Sequence, residues 1–599
     1  MKKSYITLLI VLALFGLWGN SCKQDFLTVA PAGSLDQSLL LSAKGVDALL
    51  VGAYSMIDGY AEDFGSGWEA TSTNWVFGSI RGLEANKGTD AGDQPDINSI
   101  QTFSEDANNP YLNWKWRSLY EGISRSNAVI TVTNKSLAAG KITESEATSF
   151  IKQARALRGW YHFEAWRMWE KIPYMDENTD PALVTNDEDA RTKIIDDLKE
   201  GTTLDINMGA IGRFNKTVSQ VFLAKALMQM NHDYTAAQAL LTEVVTSGKK
   251  PNGADIGLAP TYGEIFDIAN RNGIESVYTV QYSVNDGSGA WNSSVGDVLN
   301  FPYKGGGSPG GCCGFFNPTQ EFVNSFRTSG GLPLLDGSYN TLANAVKNDF
   351  GLAKNSNVDE DTGLAATDPD FTPDAGPLDP RLDWSVGRRG IPYWDWGLHT
   401  GADWIRDQTY SGPYNPKKAV YKKSQEKALT DISSWTSGYT ANGYRMIRYA
   451  DVLLLLAECQ IENNQLDAAL ANINAVRTRA ANAAGWVKKI DADLKPTDVN
   501  AANYVIATYP TLGTQENARV ILQMERKLEL GMEGHRFFDL NRWGNTVPEL
   551  NRVLTYEKTM PWGNKLYGAA TVGTEDIRYP IPLRQIDLSV GRIKQNEGH

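Results

Sequence analysis

Residues Gly310–Pro318 read GGCCGFFNP and set two thiols, Cys312 and Cys313, side by side between glycines and a pair of phenylalanines. Adjacent Cα atoms lie about 3.8 Å apart, below the usual disulfide span of about 4.4–6.8 Å. A bond between the two would close a tight eight-membered ring, and the flanking glycines give the backbone the freedom for it. Such a ring offers a flat, polarizable, uncharged patch suited to the apolar face of a sugar. Two reduced thiols are the plainer alternative; a metal thiolate pair lacks partner ligands. The reading adopted is a disulfide Cys312–Cys313 at a ligand contact.

The second signal is aromatic. The chain holds 17 Trp and 25 Tyr, large rings with a polar handle. A sugar has an apolar C–H face on which a ring stacks, and a hydroxyl rim that Asp, Asn, Arg and Tyr can bond. Both kinds of group occur together in NWVFGSIRGLEANKG with Trp75, in GAWNSSVG with Trp291, and in the run from Arg381 to Lys418. That run carries Trp384, Trp394, Trp396, Trp404 and Tyr414 with Asp395, Arg388 and Arg389 among them. The candidate ligand contacts are therefore Trp75, Asp58, Trp291, Cys312, Cys313, Arg388, Arg389, Trp394, Trp404 and Tyr414, with Trp75, Trp394 and Tyr414 preferred. The competing reading is that the rings pack a region that lacks long aliphatic stretches.

Other chemistry is weakly written. Gly306–Gly310 matches G-x-S-x-G, and Gly305, Gly307 and Gly310 match G-x-G-x-x-G, but neither has the strand before and helix after that those motifs need. There is no H-E-x-x-H or C-x-x-C, the signatures of zincins and zinc ribbons, and five His thin the case for imidazole chemistry. Asp90, Asp93 and Asp96 leave calcium open as a cofactor, against a plain solvated turn. A glycosidase needs two carboxylates about 5–9 Å apart, and no signature singles out a pair. No residue is assigned a catalytic or metal-binding role. The net charge of −13 excludes the basic stripe of a nucleic-acid binder. Cys459, in LLLLAEC, reads as a buried free thiol.

These residues need a scaffold. Residues 1–21 are a secretory signal: Lys2 and Lys3, then an apolar run from Ile6 to Trp18 too short to span a bilayer. Cys22 follows as a lipidation site, although Asn20 departs from the usual lipobox, and 22–37 is a tether. Helical periodicity marks 38–250 and 441–599. Thr143–Glu146 reads as a capped start and Pro173 as a stop. Pairs such as VSQVFLAKALMQM with YTAAQALLTEVVTSG, and YRMIRYADVLLLLAECQIENN with QLDAALANINAVRTRAA, suggest tetratricopeptide-like repeats of about 34 residues. Between them, 251–440 is dense in Gly, Pro, Trp and Asp and reads as an irregular region packed on the helices, where binding residues tend to sit. The expected fold is mainly α: split tetratricopeptide-like helix pairs forming a scaffold, with a large loop-rich region upon it.

Several blocks now resemble the SusD/RagB family in its own order: ARALRGWYHFEAWRMWEKIPYM (154–175), RYADVLLLLAEC (448–459), INAVRTRA (473–480), ILQMERKLELGMEGHRFFDLNRWG (521–544) and YPIPLRQIDLS (579–589). The resemblance implies a lipoprotein of the Bacteroidota outer membrane, anchored through Cys22 and facing the cell exterior. It implies a non-enzyme that binds glycan and passes it to a SusC-like TonB-dependent transporter, its helical repeats toward that partner and its irregular region toward the ligand. A peptide-binding member of the same family and a secreted glycosidase are the alternatives. Within the blocks, Glu525, Arg526, Glu529, Glu533, Arg536, Asp539 and Arg542 alternate with apolar residues and read as ion-pair stitching of the C-terminal segment.

Overall fold

A computed structural model describes residues 40–59, 67–303, 307–352 and 371–599. The signal segment, Cys22 and the tether lie outside the described residues. Six main helices come from the N-terminal part: α1 (Ala43–Ser55), α2 (Pro110–Ala138), α3 (Glu144–Trp169), α4 (Arg191–Gly201), α5 (Lys216–Ala226) and α6 (Tyr234–Ser247). Five come from the C-terminal part: α7 (Tyr449–Glu462), α8 (Leu466–Ala480), α9 (Gln515–Leu530), α10 (Arg536–Arg542) and α11 (Thr546–Glu557). Local chemistry sets their ends. Asn109 caps α2 with Pro110 at its first position, where the missing N–H costs nothing. Thr143 and Glu146 form a reciprocal capping box at α3, which stops at Trp169, short of Pro173.

The helices stack in series. α2 lies on α3, α3 on α4, α4 on α5 and α5 on α6; α6 then packs on α7, and α7 on α8 and α9. The two blocks that the sequence separates therefore meet at the α6–α7 seam. Small residues permit the close layers: a Cβ on Gly122 of α2 would lie 2.5 Å from the Tyr161 ring of α3. Cys459 is a buried free thiol, its sulfur 3.6 Å from that of Met228.

Among the described residues, ten short strands pair into five antiparallel two-stranded ribbons. In chain order they are β1 (Ala85–Gly88), β2 (Ser276–Val280), β3 (Phe315–Pro318), β4 (Thr328–Ser329), β5 (Leu332–Pro333), β6 (Val386–Gly387), β7 (Asn415–Pro416), β8 (Tyr444–Arg448), β9 (Lys488–Ile490) and β10 (Pro496–Asn500). β8 corrects an expectation. YRMIRYADVLLLLAECQIENN is not one helix, because Tyr444–Arg448 pairs with β2 and α7 begins only at Tyr449. β1 pairs with β3, which ties the segment after the cysteine pair to the N-terminal half.

The charges of α9, α10 and the turn between them do stitch the interior. Glu529 pairs with Arg381, Arg448 and Arg479, Glu533 with Arg448 and Lys418, and Arg526 with Asp451 and Asp539. Arg381 and Lys418 belong to the irregular region, so the network fastens that region to the helices. Glu557 is a buried carboxyl outside this pairing. Glu557 Oε1 accepts the Glu321 N–H at 2.6 Å, its Oε2 has no hydrogen-bond partner, and burial, with the Glu321 charge adding to it, pushes its pKa up to about 8. A raised folded-state pKa means the native state holds the extra proton, so stability falls as pH rises from the ordinary carboxylate range to about 8. Glu557→Gln keeps the accepting oxygen and removes the titration. Thermal melts from pH 5 to pH 8 are expected to flatten for this variant, which gains on wild type at the alkaline end; unchanged curves would refute the assignment.

Candidate functional site

The disulfide turn sits where several loops converge. Cys312 and Cys313 are disulfide-bonded across a cis peptide, Cys313 buried and Cys312 half-buried. The turn is held from every side. The Gly310 N–H donates to the Tyr421 hydroxyl at 2.9 Å, and the Thr436 hydroxyl donates to the Gly310 carbonyl. The Gly314 N–H donates to Phe301 O at 3.0 Å, and Gly314 O accepts from the Thr89 N–H.

Two exposed tryptophans stand on the neighbouring loops. Trp291 is 52% exposed and Trp435 62% exposed. Their loops are clasped through Asn285, which donates its backbone N–H to Asp431 at 3.0 Å and accepts from the Ile432 N–H at 3.0 Å. The Ser294 N–H adds a bond to Thr440 O at 2.8 Å. Thr436, bonded to the disulfide turn, directly follows Trp435. The Trp435 indole N–H donates to the Tyr439 hydroxyl at 3.3 Å, which satisfies its polar edge. Trp291 and Trp435 are the only exposed tryptophans among the described residues, which makes their loops the candidate contact surface.

Two carboxylates on these loops, Asp286 and Asp431, are poor proton donors. Asp286 accepts from Ser283, Asn292 and the Ser288 N–H, and those hydrogen bonds, Ser283 first, hold its carboxyl well below the usual range. Burial works against Asp431, yet bonds from Ser433 and the Asn285 N–H keep it low as well. A general acid needs the opposite shift.

The ten residues picked from sequence divide sharply. Trp291 stands on a loop bonded to the 431–440 segment, and that segment is bonded through Thr436 to the turn of Cys312 and Cys313. Asp58 is half-buried, and its charge acts on the buried Tyr282 hydroxyl at the base of the Trp291 loop. Trp75, at 1% exposure, lies behind the turn, its ring edge-on to Phe316 at 5.7 Å, beside an interior cavity of about 70 Å³. Trp404 is fully buried; its carbonyl accepts the Tyr303 N–H at 2.7 Å and its ring meets Tyr393 at 5.4 Å. Tyr414 is interior and bonds Gln320 at 3.0 Å. Arg388 forks onto Asp383 at 2.6 and 2.9 Å, and Arg389 faces Asp349 at 3.6 Å. Trp75, Trp404, Tyr414, Arg388 and Arg389 are therefore interior, and all but Trp75 belong to the irregular region, which builds its core from rings and paired charges. Trp394 lines a different depression. Trp435 was missed, although SSWTSG has the texture of GAWNSS: a lone ring among small polar residues.

The acidic loop is also resolved. Arg406 bridges Asp90 at 2.8 Å and Asp93 at 2.5 Å, Lys87 donates to the Asp93 carbonyl at 2.6 Å, and Asp96 opens the short helix Asp96–Gln101. The aspartates serve an internal ion pair, and among the described residues no group of three or more His, Cys, Asp or Glu has metal-holding geometry. A chelator is expected to leave the melting temperature unchanged; a drop on adding EDTA, reversed by calcium, would contradict this.

Comparison with known proteins places this architecture. The model of the SusD family matches residues 274–599. A curated relative, SusD-like protein P25 of Formosa agariphila, is 23% identical over 488 residues, covering 79% of this chain and 76% of that protein. Among solved structures, a laminarin-binding SusD-like protein superposes with a TM-score of 0.63 at 19% identity, covering 93% of this chain and 100% of that one. Surface glycan-binding protein A from Bacteroides thetaiotaomicron, in complex with laminarihexaose, gives 0.60 at 21% identity over 92% and 99% of the two chains.

Proposed function

The chain belongs to the SusD family, and from that premise we propose that it is a cell-surface glycan-binding protein that captures an oligo- or polysaccharide without cleaving it. The observation that carries the reading is that Trp291 and Trp435 expose their rings on loops bonded to one another and, through Thr436, to the Cys312–Cys313 turn. Exposed indoles stack on the C–H faces of successive sugar units, and the polar loops between them meet the hydroxyls. Solved relatives of this fold bind laminarin or laminarihexaose, which supports the ligand class. The lowered carboxyls of Asp286 and Asp431 suit accepting hydrogen bonds from sugar hydroxyls.

The proposal extends to cellular context. Cys22 carries the lipid anchor, the protein faces outward from the outer membrane, and the captured glycan passes to a SusC-like TonB-dependent transporter. Among the described residues no helix is long and apolar enough to cross a membrane.

Calorimetric titration against laminarin and other plant and microbial polysaccharides, with reducing ends assayed on the same samples, tests capture. Saturable heat without new reducing ends is expected; new reducing ends would overturn the reading. Exchanging both Cys312 and Cys313 for Ser should weaken binding of the same polysaccharide, because the turn is part of the contact face. Equal affinity would remove the cysteines from the site.

A further inference from the structure

A separate cleft of about 610 Å³ opens between the irregular region and the end of α8, within the ~300–1,000 Å³ range of small-ligand sites. Three half-buried tryptophans form its walls: Trp384, Trp394 and Trp486. Each indole N–H is already committed within the protein, Trp384 to Gly485 O at 2.8 Å, Trp394 to Lys417 O at 3.3 Å and Trp486 to Ala480 O at 3.0 Å. Lys417 sits over the Trp384 ring at 5.0 Å and Lys422 over the Trp394 ring at 5.5 Å, so each of these rings has one face left for a ligand at most. Trp384 and Trp394 lie 5.0 Å apart at 59°, so their faces make a corner and do not cover one another. The backbone at Trp394 has φ 52°, a left-handed conformation that a bulky residue rarely adopts and that tends to be retained at functional positions.

The charges of the cleft cancel. Its lining holds three carboxylates, Glu264, Asp267 and Asp395, and three lysines, Lys417, Lys422 and Lys488. Lys422 pairs with Asp267 at 2.5 Å, Asp395 accepts the Lys423 and Ser424 backbone N–H groups at 2.6 and 3.0 Å, and Lys488 donates to Asn500 at 2.7 Å. Lys417 is turned inward, onto the carbonyls of Asp383 and Pro392 at 2.6 and 2.8 Å. The lining carries no net charge, so a ligand with a charge at every unit would find no excess of counter-charge here. A neutral one finds aromatic faces and a rim of polar groups fixed in place by their partners.

We infer that this tri-tryptophan cleft is a second carbohydrate-binding site, specific for a neutral oligosaccharide and independent of the loop face. The inference rests on the glycan-binding reading and adds to it. Among the described residues, none from the disulfide turn or the Trp291 and Trp435 loops lines the cleft. Two separated sites let one protein hold a long chain at two points, which raises avidity without new contacts.

The test is calorimetry of the purified protein with laminarihexaose, cellohexaose, mannohexaose and maltohexaose, and with hexagalacturonate as the charged comparator. Three variants are compared: Trp291→Ala/Trp435→Ala, the same with Trp486→Ala, and the same with Pro496→Trp. Pro496 is an exposed residue at the cleft margin, so its variant blocks the cleft without deleting packing and serves if Trp486→Ala fails to fold. The expected result is that a neutral hexasaccharide still binds the loop-face variant, and that either addition lowers that residual affinity at least tenfold. Hexagalacturonate should not bind the residual site. Binding by wild type that vanishes in the loop-face variant leaves glycan capture standing and overturns the cleft. Residual binding indifferent to Pro496→Trp does the same, and tight hexagalacturonate binding there overturns neutrality. No binding of any sugar by wild type overturns the glycan reading, and the cleft site with it.

Discussion

Replacing Glu529 by Ala is expected to destabilise the protein by about 3–5 kcal/mol, the scale for removing one partner from a buried ion network. Glu529 is fully buried and meets Arg381 at 3.1 Å and Arg448 at 2.9 Å, with Arg479 also in contact. Its loss takes a shared carboxylate from three buried guanidinium groups, leaving Arg381 to Asp379 and Glu525, Arg448 to Glu275 and Glu533, and Arg479 to Glu275 alone; each is anchored in a different segment: the irregular region, the end of β8 and the last turn of α8. Burial alone would raise the Glu529 carboxyl, but Arg479, Arg448 and Arg381 hold it well below the carboxylate range. A depressed folded-state pKa gives stability that is present above the ordinary carboxylate pKa and lost as pH falls through the folded value. The deficit of the variant should therefore be full at pH 7 and shrink on acidification below about pH 4, where the unfolded chain takes up the proton that the native state refuses. Denaturant unfolding of Glu529→Ala beside Glu516→Ala, an exposed residue of the same helix, checks this. The second should stay within about 0.5 kcal/mol of wild type. Equal, small effects of both would contradict the role given to the network.

The largest effect on binding is expected from the two exposed tryptophans. Truncating an aromatic anchor at the centre of a contact surface typically costs about 2 kcal/mol or more, roughly 30-fold in affinity at 1.4 kcal/mol per tenfold. Trp291→Ala and Trp435→Ala should each weaken glycan binding on that scale. Neither should move the melting temperature, because rings 52% and 62% exposed carry little of the core. Trp75→Ala and Trp404→Ala should behave in the opposite way, costing about 3–5 kcal/mol of stability as buried rings do. The comparison separates stacking surface from foundation. A loss of affinity in Trp75→Ala at unchanged stability would show that the surface has been drawn in the wrong place.

Local signals were readable and long-range ones were not. The start of α3 could be read from Thr143 and Glu146 because a capping box is closed within one turn. Adjacent cysteines between glycines are likewise a local geometry. The strand Tyr444–Arg448 could not be read, since its partner, Ser276–Val280, lies on the far side of the irregular region and leaves no trace in local periodicity. Burial of the tryptophans failed for the same reason. Trp404 and Trp435 both sit in short loops with small polar neighbours, and only the tertiary partners of Trp404, Tyr393 and His399, put it inside. Trp486 gave still less notice: a lone ring after a helix, given its place by the Trp384 and Trp394 segments packed opposite. Periodicity thus locates the scaffold, while the site depends on which loops the scaffold brings together.

The most direct test is a crystal structure with a bound neutral oligosaccharide that calorimetry has shown to bind. The account predicts sugar rings stacked on Trp291 and Trp435 beside the Cys312–Cys313 turn, with the glycosidic bonds intact. A saturated complex whose loop face is empty of sugar, or one that holds cleaved product, would contradict it.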